Sequence, residues 1–112
     1  MKVGKKEQVI MRLIDAVSDN DIDRIQSFFA DDSVYKDPQG NKIIGRQAIS
    51  DVFASMHVDA QKVEWLVDRI QEDEHGEVQT EGQLRYLICD QWREVNIKGA
   101  FQVRGSKVAQ WH

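Results

Sequence analysis

Cysteine is nearly absent from the sequence: Cys89 is the single one in 112 residues. No intrachain disulfide can form, and a chain of this length does not need one to hold a core. Such sparse thiol usage suits a reducing compartment, so a cytoplasmic location is expected. Long apolar runs are also lacking. No stretch approaches the roughly 18 apolar residues of a membrane-spanning helix, and no membrane association is expected. The opening MKVGKKEQVIMRLID spaces its apolar residues out, unlike the unbroken apolar block of a secretory signal. An excess of positive charge is missing too: 15 Lys and Arg stand against 19 Asp and Glu, for a net charge of −4. Nucleic acid is therefore not an expected partner, because phosphate binding depends on clustered cations. His57, His75 and His112 show no metal-ligand spacing, and no P-loop, dinucleotide fingerprint or Gly-x-Ser-x-Gly motif occurs. No metal and no cofactor are expected.

What is present is ordinary globular material, with 41% hydrophobic and 30% charged residues. That balance argues against disorder. Without repeats or low-complexity segments, residues 1–112 read as one domain. The first half has helical period. Ile10, Leu13, Ile14 and Val17 follow the i, i+3, i+4, i+7 rule, which predicts an amphipathic helix over about 5–18. Asn20 suits the cap of a second helix, with Asp21 and Asp23 in its first turn. Its apolar face is Ile22, Ile25, Phe28 and Phe29, and Asp31-Asp32 ends it. A short extended piece, 33–37, runs into the turn Asp37-Pro38-Gln39-Gly40. Ile49, Val52, Phe53 and Met56 then predict a third helix over 46–56.

The second half changes to period two. Val63, Trp65 and Val67 alternate with less apolar neighbours, as do Val78 to Ile88 and Val95 to Val103. Glu74-His75-Gly76 and Arg104-Gly105-Ser106 read as turns, Cys89 to Trp92 as a loop, and 108–112 as a last strand. Three helices and an antiparallel meander make an α+β arrangement. The helices must cover one face of a curved, mostly antiparallel sheet, which leaves a cone-shaped cavity of the kind that takes small molecules.

The run SDNDIDRIQSFFADDSVYKDPQGNKIIGRQAISDVF carries a helix ending in Phe-Ala-Asp-Asp, a strand ending in Asp-Pro and a Gly-Arg-x-Ala-Ile helix start. With the later run VNIKGAFQVRGSKVAQWH, it resembles the nuclear transport factor 2-like superfamily. The branch it is most similar to holds ketosteroid isomerase, SnoaL-like polyketide cyclases and limonene-epoxide hydrolase. The resemblance spans nearly the whole chain and implies a cystatin-like α+β roll. It places Asp37 where the isomerase has its general base, and Tyr35 where the epoxide hydrolase has its water-holding tyrosine. The isomerase's oxyanion donors fall at Leu13 and Gly99, neither of which can donate from a side chain. The Arg-x-Asp pair of the epoxide hydrolase falls near Gly82 and Leu84, and both charges are missing.

Tyr35 and Asp37 are two apart on an extended segment, so their side chains share a face. The preceding-proline position favours that geometry for Asp37. Inside a cavity, a carboxylate beside a phenol would be set up as a base. The same four residues also fit a type I turn, in which Asp37 only accepts N–H bonds. Both readings stay open. The candidate ligand-binding residues are Leu13, Phe29, Phe53, Met56, Trp65, Gly82, Leu84, Gly99, Phe101 and Trp111. His57 is expected to meet the end of its helix or solvent. The function expected is a pocket for a small, mainly apolar molecule, with weak isomerase, cyclase or hydrolase chemistry on Asp37 and Tyr35. The alternative is a non-catalytic ligand-binding or dimerisation module that keeps only the fold. A homodimer through the outer sheet face is expected, because Trp65, Tyr86 and Trp92 need cover.

Overall fold

A computed structural model describes residues 4–37, 39–55, 57–58 and 60–112. Helix α1 (Lys5–Ser18) buries Val9, Ile10, Leu13, Ile14, Ala16 and Val17 on one stripe, as its period requires. Asn20 does not cap the next helix. It takes a left-handed φ of 54°, which asparagine tolerates, and turns the chain. Asp21 is the cap instead, its carboxylate accepting the Arg24 N–H at 3.3 Å.

Helix α2 (Ile22–Ser27) is shorter than the apolar spacing suggests. Phe29 and Asp31-Asp32 belong to strand β1 (Phe29–Lys36), so the helix does not run to the aspartates. Distant partners decide this. The Val108 N–H donates to the Phe28 carbonyl at 2.7 Å. The Ser33 hydroxyl accepts from Ala30 N–H at 2.8 Å and donates to the Val108 carbonyl at 2.6 Å. Those bonds satisfy backbone groups that a longer helix would have paired internally. A short strand β2 (Lys42–Ile44), not anticipated in the sequence, pairs antiparallel to β1, and helix α3 (Arg46–Ser55) follows.

The meander is β3 (Lys62–Glu72), β4 (Val78–Ile88), β5 (Gln91–Arg104) and β6 (Lys107–Trp111). The loop expected over Cys89 to Trp92 is only two residues long. Cys89 and Asp90 both take positive φ, 50° and 61°, as a mirror-image hairpin turn demands, and Trp92 is already in β5 opposite Leu87. The sheet runs β2-β1-β6-β5-β4-β3 and is antiparallel except where β1 meets β6. The α+β architecture with helices on a mostly antiparallel sheet is therefore as expected.

Residues directly opposite in a ladder share a face. Trp65 faces Leu84, and Val63 faces Tyr86, on the helix side of the sheet. Trp65 is buried and Tyr86 packs against the core. Of the three aromatics expected on the outer face, only Trp92 is there, beneath the Arg85 guanidinium at 4.5 Å, with Arg85 also paired to Glu64 at 3.4 Å. The expectation of a second copy on that face thus rests on Trp92 and Leu66, both partly exposed, amid charged neighbours.

Gly82 sits opposite Val67, where β3 bulges before Arg69. A Cβ there would lie 1.9 Å from the Leu66 carbonyl oxygen, so backbone approach alone demands glycine. Among the described residues, no helix is long and apolar enough to cross a membrane.

Candidate functional site

β6 lies between β1 and β5, and the ladders align Tyr35 with Trp111 and Trp111 with Phe101 across three strands. Tyr35 and Trp111 of this row form one side of a cavity of about 430 Å³. Its walls are Tyr35, Trp111, Trp65, Leu84, Ile97 and Gly99, and they are mainly apolar. Charge is kept to Lys36, Asp37 and Lys98, with His112 beside them. A largely apolar hollow with a few polar groups at its edge is the usual form of a small-molecule site.

The Tyr35 ring stacks on Trp111 at 3.9 Å between centroids and 24° between planes. Its hydroxyl has no hydrogen-bond partner among the described residues. Burial pushes the phenol pKa up, and the nearby Asp37 charge pushes it the same way. The phenol therefore stays protonated at neutral pH and can donate to a ligand.

The Asp37 carboxylate is organised by its own turn. One oxygen accepts the Gln39 N–H at 3.0 Å and the Asn41 N–H at 2.8 Å. The other accepts the Asn41 side-chain amide at 3.2 Å. The Asp37 N–H donates to the Asn41 carbonyl, and its own carbonyl accepts the Gly40 N–H, each at 2.9 Å. These bonds reproduce the turn-capping pattern that Asp favours, and they aim the carboxylate along the turn.

Of the residues singled out in the sequence, Tyr35, Asp37, Trp65, Leu84, Gly99 and Trp111 meet at the cavity. Leu13, Phe29, Phe53 and Phe101 are fully buried and do not reach it, because helix packing closes over them. Phe53 stacks behind Trp111 at 4.7 Å and 8°, and Phe101 lies parallel to it at 5.9 Å and 2°. They hold the indole in place. Gly82 lines a second hollow with Asp68, Glu81 and Asn96. Met56 lies outside the described residues. Ile97 was not singled out. The signal was available, since it alternates with Gly99 and Phe101 on one strand.

His57 meets the end of its helix, but its ring nitrogens are withdrawn from solvent. Its backbone N–H closes the end of α3 on the Ala54 carbonyl at 3.0 Å. Its two ring nitrogens are shielded from solvent and have no hydrogen-bond partner among the described residues. Desolvation lowers its pKa from the ordinary 6.5. A lowered folded-state value means that the unfolded chain takes up the proton first, so acid favours unfolding. The His57 contribution to stability is whole above about pH 6.5 and is lost as pH falls through the lowered value. Urea midpoints at pH 7.5 and 5.5 should therefore fall further apart in the native protein than in His57→Phe. Equal pH sensitivity of the two proteins would remove His57 as a cause.

A family model described as a SnoaL-like domain matches residues 10–111. Solved structures with similar folds include an LEH-like epoxide hydrolase of M. tuberculosis, 22% identical, with a TM-score of 0.79 over 95% of this chain and 80% of that one. A protein provisionally assigned as a SnoaL-like polyketide cyclase from Shewanella putrefaciens is 14% identical, with a TM-score of 0.82 over 98% and 88%. An uncharacterised cystatin-fold protein from Novosphingobium aromaticivorans is 12% identical, with a TM-score of 0.80 over 97% of both chains. At these identities the likeness speaks to the fold. No curated protein sequence matches the chain.

Proposed function

The chain belongs to the SnoaL-like domain family, within the nuclear transport factor 2-like superfamily, and on that premise we propose that it binds a small, mainly apolar molecule in the cavity between β1 and β5. The observation that carries this reading is the cavity itself, walled by Tyr35, Trp65, Leu84, Ile97 and Trp111. The free Tyr35 hydroxyl supplies one directed hydrogen bond, and the apolar walls supply most of the affinity.

Asp37 is better accounted for as the organiser of its turn than as a base, given its three accepted bonds from Gln39 and Asn41. The position of Asp37 beside Tyr35 at the cavity favours a second reading, in which the carboxylate takes a proton from a bound ligand. One variant separates the two. Under the binding reading, Asp37→Asn keeps ligand affinity within about twofold and changes no turnover of an enone, epoxide or ketone panel. Asp37→Ala, which loses the turn bonds, should cost about 1 kcal/mol in urea unfolding. A rate that collapses in Asp37→Asn would hand the site to the catalytic reading. Native mass spectrometry of the purified protein tests the binding reading directly, through a retained small molecule.

A further inference from the structure

Two glycines, Gly82 and Gly99, interrupt the meander, and they exist for different reasons. Neither has a positive φ. At Gly82 a Cβ would run into the Leu66 main chain, so no other residue fits. At Gly99 no main-chain atom stands in the way. A Cβ there would meet only side-chain atoms, Thr80 Oγ1 at 3.1 Å and the Phe101 ring edge at 3.2 and 3.5 Å. Small movements of those side chains would admit it. Glycine in a strand interior weakens the strand and usually marks a bend or a close approach, yet the ladder here is regular on both sides of Gly99 where it pairs with β4. What the missing side chain does is leave bare backbone on the cavity wall between Ile97 and Trp111.

We infer that Gly99 determines which ligands the cavity admits: the bare strand makes room for the width of a ring, and an extended alkyl chain does not need that room. This deepens the binding reading and rests on it. The space is bounded by the neighbours. Thr80, directly opposite Gly99, is itself small and turns its hydroxyl to the Gly99 carbonyl at 3.3 Å. Phe101 on one side stacks parallel to Trp111, and Leu84 and Ile97 line the cavity beside it. A methyl group at position 99 therefore adds bulk at this stretch of wall, between the Thr80 and Phe101 side chains. Discrimination by one methyl-sized group in an apolar pocket reaches roughly tenfold or more.

The test uses 1-naphthol and 1-decanol, which carry one hydroxyl each and differ in width. Both are titrated calorimetrically into the native protein and into Gly99→Ala. The expected result is that Gly99→Ala weakens 1-naphthol about tenfold and holds 1-decanol within about twofold. Equal losses for both probes, or no loss for either, would overturn the assignment of Gly99. Should Gly99→Ala fail to fold, Ile97→Phe narrows the same wall from a half-buried position and must show the same split between probes; its absence counts against the inference in the same way. Failure of the native protein to bind either probe would instead strike the binding reading, so the two outcomes are distinct.

Discussion

Phe53→Ala is expected to lower the unfolding free energy by about 4 kcal/mol, measured by urea denaturation. Phe53 has no exposed surface. Its ring lies 4.7 Å from Trp111, 5.9 Å from Phe29 and 6.3 Å from Trp65, so it joins α3 to the sheet at three aromatic contacts. Truncation removes the buried ring and leaves a void that stacked aromatics cannot easily collapse into. The damage extends to the site, because Phe53 backs the indole that walls the cavity. Tryptophan emission should shift in the folded variant as Trp111 loses its packing. Phe53→Leu, which refills most of the void, should lose less than half as much. A loss under about 1 kcal/mol for Phe53→Ala would show that the helix layer settles onto the sheet without this ring.

The second large effect belongs to Gly82→Ala, expected to cost about 3 kcal/mol in the same assay. The added methyl has no side chain to push aside. It meets the Leu66 carbonyl oxygen at 1.9 Å and its carbon at 2.9 Å. Relief requires β3 and β4 to separate or the bulge between Val67 and Arg69 to move. A midpoint unchanged from the native protein would mean that the bulge relocates freely. Gly99→Ala should unfold well above Gly82→Ala, since its neighbours are movable side chains. The pair is thus an internal control for backbone approach against side-chain crowding.

Much of the fold could be read from spacing because its elements carry their own period. Ile10, Leu13, Ile14 and Val17 define α1 without reference to anything distant, and the alternation of β4 fixes which side of the sheet Leu84 faces. The limit of α2 was not legible. Phe28 and Phe29 fit a helix face as well as a strand, and the choice falls to bonds from Ser33 and Val108 that spacing does not reveal. The same division runs through the site. The turn chemistry of Asp37-Pro38-Gln39-Gly40 is local, and it is what engages the carboxylate. The separation of Trp111 at the cavity wall from Phe53 and Phe101 behind it depends on how α3 lies over β6, and no local pattern encodes that depth. The shielding of His57 is likewise a product of assembly.

The parallel pairing of β1 with β6 has a consequence for how the molecule is made. The Ser33–Val108 bond closes a loop spanning 75 residues of sequence. Contacts of that range must be formed against a large loss of chain entropy, and proteins dominated by them reach the native state slowly. While the polypeptide leaves the ribosome, Phe29 and Phe53 emerge long before Val108 and Trp111 arrive to cover them. During that interval β1 has only the three-residue β2 beside it. Nascent chains therefore carry uncovered aromatic surface until β6 is made, the condition under which chaperones engage a client. The strand that completes the cavity wall is also the one that ends this exposure, so the arrival of Trp111 dates both the closing of the cavity and the covering of these aromatics.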